Sequence, residues 1–306
     1  MLRSSRETTT NVAEKGELKV KTLLAVDGSD NSYEAVRVIK YLSRSDQLIL
    51  LHALNVPRPA YPKMIPEVAN ELYHTLERSM REDGERLLDR VQSLLPLHAG
   101  QVTKRLELGS PAEVIVTTTE DEHVDLIVMG ARGVGPVKER MLGSVSHRIL
   151  TLAPCAKLIV KGPVKTMKNV LLPLQGPYDR EAAIRFLQLK PFHEPVEVSL
   201  LTVLPSVRPH WPVETAAAEQ LEEQALHSGR DFIDEAATSL RGLGYHVKGR
   251  VMLGTPVESI LHEASAVQSD LILMGSRGRR GVTRFVLGSV SHAVLHRMPC
   301  PVLVFQ

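Results

Sequence analysis

The chain has 306 residues, enough for two domains of ordinary size. Its 37 Lys and Arg nearly cancel 35 Asp and Glu, leaving +2, which argues against a polybasic nucleic-acid binder or an acidic tail protein. Aromatics at 4% leave no stacking platform for bases or sugars, two cysteines exclude a disulfide framework, and no apolar run reaches the ~18 residues of a membrane span.

The polar opening Met1–Glu17 has no apolar secretory core and reads as a disordered tail, so a cytoplasmic location is expected. Lys19–Asp27 is a short apolar, β-branched run ending on an Asp-Gly turn signal, hence a buried strand. Ser32–Leu42 carries Ala35, Val36, Ile39 and Leu42 at helical spacing, and Gln47–Val56 is a second strand. After the prolines 57, 59, 62 and 66, Glu67–Leu95 reads as a long helix with a break at Gly84, and Val102–Leu108 as a strand. Ser110 and Pro111 open the next helix as cap and first helical residue; Val124–Met129, Ser144–Leu152 and Ala156–Val160 then read strand, helix, strand.

The pattern then starts again. VDLIVMGARG around Met129 returns as SDLILMGSRG around Met274, and LGSVSHRIL from Leu142 as LGSVSHAVL from Leu287. The same shift carries Gly109-Ser110-Pro111 onto Gly254-Thr255-Pro256 and Pro154-Cys155 onto Pro299-Cys300; a slightly larger one sets Asp27-Gly28 over Gln175-Gly176. The second copy reads Lys168–Leu174, Glu181–Leu189, Val196–Leu204, Glu214–Leu240, Val247–Leu253, Pro256–Gln268, Leu271–Met274, Ser289–His296 and Val302–Phe305, after a linker Lys161–Met167. This is duplication of a domain. The expected organisation is a tail 1–17, a first domain 18–162 and a second 163–306. The fold class is α/β: two tandem doubly wound domains, each a five-stranded parallel sheet with helices on both faces.

In such sheets ligands gather outside the carboxyl ends of the strands. The end of the first strand, with Asp27, should meet the loop that leaves Met129 as Gly130-Ala131-Arg132-Gly133 and returns at Gly143-Ser144. The pattern G-x2-G-x9-G-S suits phosphate: glycine lets backbone approach closely, and Ser144, Val145 and Ser146 at a helix start offer amides and a hydroxyl. Arg132 and Lys138, and Arg277, Arg279 and Arg280 in the second copy, bring positive charge. The plainer alternative, that these glycines only shape a tight strand-to-helix connection, stays open at this point.

These motifs, with the Val-Asp-Gly-Ser end of the first strand and the Leu-His-Ala end of the second, resemble a tandem universal stress protein, in particular the branch that binds ATP. The resemblance implies the strand order 3-2-1-4-5, with the fifth strands of the two domains paired across a pseudo-twofold axis. It further implies that Gly130, Gly133, Gly143, Ser144, Val145 and Ser146 hold ribose and phosphates, with Met129 and Arg132 beside them. Asp27 would meet the nucleoside, and the backbone of Ala53 the adenine edge. In the second copy the equivalents are Met274, Gly275, Gly278, Gly288, Ser289, Val290 and Ser291, with Leu201 opposite Ala53. There Gln175 stands for Asp27 and Pro177 for Ser29, so the first site is expected to be the better one.

No G-x4-G-K-[ST], G-x-G-x-x-G or G-x-S-x-G occurs, which favours binding over turnover. The expected function is a nucleotide-binding stress-response sensor or adaptor with ATP as cofactor, with or without Mg2+. Its expected partners are an adenine nucleotide, the other domain through the last strands, a second copy of the chain and an unidentified protein, with no nucleic acid or membrane. The alternatives are a scaffold of the same fold that binds no nucleotide, and a slow ATPase or autophosphorylating protein. His292 and His296 lie four apart on one helix and His147 matches His292, but no third metal ligand is implied, and surface or capping roles are the default. Cys155 and Cys300 are expected as buried small side chains, the basic run Arg277–Arg284 as a solvated loop, and Trp211 as a cover for a sheet edge or an interface.

Overall fold

The computed structural model describes residues 20–58, 65–133, 142–205, 215–276 and 287–305. Met1–Glu17, Lys138, Trp211, Gly278 and the run Arg277–Arg284 lie outside the described residues. The first half alternates β1 (Lys21–Ala25), α1 (Asp30–Val38), β2 (Gln47–Leu54), α2 (Pro66–Leu94), β3 (Gln101–Leu108), α3 (Pro111–Asp121), β4 (Leu126–Gly130), α4 (Ser144–Leu152) and β5 (Ala156–Val160). The second repeats it as β6 (Asn169–Pro173), α5 (Pro177–Gln188), β7 (Glu197–Leu204), α6 (Thr215–Gly242), β8 (His246–Leu253), α7 (Pro256–Ala266), β9 (Leu271–Gly275), α8 (Ser289–Arg297) and β10 (Val302–Phe305).

The first half has the strand order β3-β2-β1-β4-β5, all parallel, as the resemblance implied. The second mirrors it as β10-β9-β6-β7-β8. The halves join where β10 runs antiparallel to β5, with Val302 opposite Ile159 and Val304 opposite Lys157. The described strands thus form one ten-stranded sheet in which the two halves point in opposite directions. Leu24, Leu50 and Val128 turn to one face and Leu23, Ile49 and Ile127 to the other, each face carrying a core that runs on into the second half. Burial on both faces is why these strands read as unbroken apolar runs.

A second contact ties the halves beyond the strand seam. Ser43 N donates to Pro191 O and His193 N to Tyr41 O, both at 2.9 Å, and the ring of His193 stacks on His98 with centroids 4.1 Å apart.

Two local expectations are corrected. α2 runs unbroken through Gly84, because the missing side chain lets the helix close on the sheet: a Cβ there would lie 2.7 Å from Leu106 Cδ1 and 3.1 Å from His52 Cδ2. The cost of glycine in a helix, about 1 kcal/mol, is offset by that approach. Ser110 stands at the cap position of α3 but its hydroxyl makes no capping bond; Pro111, with φ preset and no amide to satisfy, opens the helix.

Candidate functional site

The carboxyl ends of β1, β2 and β4 open into a cleft of about 610 Å³, a size that suits a small organic ligand. Asp27, Ala53, Met129, Gly130, Arg132, Gly133, Gly143, Ser144, Val145 and Ser146 all line it. Residues far apart in sequence meet here because β1 lies between β2 and β4.

Asp27 is fixed by its own turn. Gly28 takes φ +79°, a left-handed conformation that glycine adopts at little cost, and this brings Ser29 back to the carboxylate. Oδ1 accepts from Ser29 N at 3.0 Å and from Ser29 Oγ at 2.7 Å, while Ser29 Oγ also accepts from Ser32 N at 3.2 Å and caps α1. Oδ2 faces the glycine loop: a Cβ on Gly133 would stand 2.2 Å from it.

The loop glycines have different reasons for being glycine. At Gly130 a Cβ would meet the backbone of α1, 2.8 Å from Asn31 C and 2.9 Å from Ser32 N, so its demand is packing. At Gly143 the tightest neighbour is Arg132 Cα at 3.3 Å, within a hairpin-like closure where Gly143 N donates to Ala131 O at 2.9 Å. α4 begins there with no side-chain cap, which leaves the amides of Ser144, Val145 and Ser146 without intrahelical acceptors. Such a helix start favours an anion. Ser146 Oγ is turned inward, donating to Gly130 O (3.0 Å) and Ala131 O (3.1 Å), so the accessible hydroxyl is that of exposed Ser144.

Ser32, His52, Asn55, Met80, Ile115 and Leu142 also line the cleft and were not singled out from the sequence. Met80 comes from α2 and Ile115 from α3, and no local motif marks a helix residue that reaches a strand end. His52 was legible only as part of Leu-His-Ala. Its Nδ1 lies 2.7 Å from Val26 O, which makes Nδ1 the protonated nitrogen and ties the ends of β1 and β2 together.

The second half reproduces the loop closure, with Gly288 N to Ser276 O at 2.7 Å and Ser291 Oγ to Gly275 O at 2.8 Å. Met274 is buried at the end of β9, Gly275 and Val290 are half-buried, and Ser289 is exposed; Gly278 lies outside the described residues. The pairing of Leu201 with Ala53 is corrected. Leu201 O accepts from Leu174 N as Leu51 O accepts from Val26 N, so Leu201 matches Leu51, and Val203 takes the place of Ala53. The connection from β6 to β7 is two residues longer than that from β1 to β2, and this shifts the register. Leu201 is fully buried. Thr202 then matches His52, and its Oγ1 donates to Leu174 O at 3.1 Å, the same clamp made by another group. Gln175 does take Asp27's place, and its main-chain N–H donates to Asp179 Oδ2 at 3.1 Å, a half-buried carboxyl whose pKa burial raises.

The model of the universal stress protein family matches this chain twice, over residues 20–161 and 166–306. A universal stress protein of Mycolicibacterium smegmatis is 25% identical over 91% of this chain and 95% of its own length. The universal stress protein YxiE of Bacillus subtilis is 32% identical over 46% of this chain and 98% of its own. Among solved structures, a universal stress protein from Archaeoglobus fulgidus covers 94% of this chain and 96% of its own with a TM-score of 0.64 at 21% identity.

Proposed function

The chain belongs to the universal stress protein family and carries two of its domains in tandem; from that premise we propose that its first half is an adenine-nucleotide site, with ATP as the ligand, in a sensor or adaptor rather than a fast enzyme. The observation that carries this reading is the convergence of Asp27, Ala53 and the glycine-loop residues on one cleft that ends at the uncapped start of α4. The open amides of Ser144, Val145 and Ser146 suit phosphate, Asp27 Oδ2 suits the hydroxyls or amine of a nucleoside, and Met129, Ile115 and Leu142 give the base an apolar bed. Mg2+ would accompany the phosphates there as a counter-charge. We place the domain boundary between residues 162 and 163 and the protein in the cytoplasm; no helix among the described residues is long and apolar enough to cross a membrane.

Calorimetric titration of the full chain with ATP tests the reading. Saturable binding is expected, lost in Gly143→Val, whose branched side chain would crowd Arg132 at the loop closure. No heat and no displacement of labelled nucleotide at millimolar ATP would overturn it. For the second half a scaffold role has its own support: Gln175 supplies no carboxylate, and Val203 is bulkier than Ala53. Native mass spectrometry of the full chain in excess ATP separates the two, because a scaffold second half leaves one nucleotide per chain where two working sites would hold two.

A further inference from the structure

The first turns of α4 and α8 meet across the seam between the halves. His147 and His292 are equivalent residues, their amides bonded to Gly143 O and Gly288 O at 2.9 Å, and their rings meet edge to face with centroids 5.5 Å apart. One turn further along α8, His296 brings a third ring within 4.5 Å of His292, at 51°. In the first half Thr151 stands at the matching place and turns its hydroxyl to His147 O at 3.0 Å, so the third ring is particular to the second copy.

Three imidazoles therefore sit in a row, and no hydrogen bond or ion pair joins any of them to a carboxylate among the described residues. On the flanking helices two acids are engaged with arginines of the histidine-bearing helices. Glu113 of α3 lies 3.3 Å from Arg148 of α4, and Glu258 of α7 is held by Arg297 of α8 at 2.9 Å. These two ion pairs are neutral overall and leave the imidazoles to face one another. Metal chelation is not the natural use of the cluster, since no three His, Cys, Asp or Glu side chains among the described residues are arranged to hold an ion.

What remains is protonation. A proton on His296 sets a charge on a half-buried ring 4.5 Å from the half-buried His292, with the exposed His147 beyond it, and further like charge on the row is repelled. We propose that His147, His292 and His296 form a proton-sensitive clasp, packed while His296 is neutral, that weakens the pairing of the two halves as acid charges His296.

Burial, and then the charges of His292 and His147, hold the His296 imidazole below the ordinary value of 6.5. A base whose folded-state value is depressed binds fewer protons folded than unfolded. Its stabilisation is therefore complete above the unfolded value and is lost as pH falls through the folded one.

The test is urea unfolding of the full chain between pH 8 and pH 5, wild type against the double variant His292→Gln, His296→Gln. Every other histidine is present in both proteins, so the difference isolates His292 and His296. On lowering the pH from 7.5 to 5, the unfolding constant of the wild type should rise roughly tenfold more than that of the variant. Protection of the β5 and β10 amides against hydrogen exchange should fall with it. Coincident pH profiles would overturn the proposal. Should the double variant not fold, proton NMR of the wild-type imidazoles reads the same property: His296 must titrate below 6.5, and a value at or above it would overturn the proposal equally.

Discussion

Gly130 and Gly133 belong to one sequence motif, yet the structure separates their tasks. The space at Gly130 is occupied by the backbone of α1, which cannot swing aside, whereas the space at Gly133 is occupied by the tip of Asp27, which can. Gly130→Ala is expected to destabilise the fold by about 1–3 kcal/mol, the usual cost of overpacking. Gly133→Ala should leave stability within ~0.5 kcal/mol but displace the Asp27 carboxylate and weaken ATP binding roughly tenfold, since about one good hydrogen bond is lost. Denaturant unfolding and calorimetric titration of the two variants check both halves of this expectation. A reverse assignment, with Gly130→Ala affecting only the ligand, would show that the packing account is mistaken. The sequence motif made both glycines visible, but the reason for each was not legible, because α1 and Asp27 approach the loop from about a hundred residues away.

At the scale of the element, strand and helix order was legible throughout: every strand buried on both faces betrays itself as an apolar run. Register was less so. The two extra residues between β6 and β7 fall in a connection with no repeated motif to anchor a comparison, so the sequence pairs Leu201 with Ala53, whereas the main-chain bonds put Val203 there. The Thr202 clamp was hidden for the same reason, and because a hydroxyl in β7 does the work of an imidazole in β2. Just before β5 and β10 stand Cys155 and Cys300, chiefly burial pushing their thiols up to about 11 and about 12. Thiolate is the reactive form, so the native protein at pH 8 should react with iodoacetamide at least about a hundredfold more slowly than the urea-unfolded chain. Equal rates would mean that the mouths of these strands stand open.

Across the whole molecule the decisive contact is the β5–β10 seam, where Leu158, Ile159, Val160, Val302, Leu303, Val304 and Phe305 are all completely buried. Uncovering such side chains costs about 1.5–3 kcal/mol each, and an exposed strand edge seeks a partner. A fragment of residues 1–162 is therefore expected to pair with itself through β5 and to sediment as a dimer at micromolar concentration. A stable monomer would show that the seam contributes little. The reversal of strand direction at this seam has one more consequence. The hollow above Asp27 lies on one rim of the sheet and the ground above Gln175 on the opposite rim, back to back, so no single small molecule can touch both.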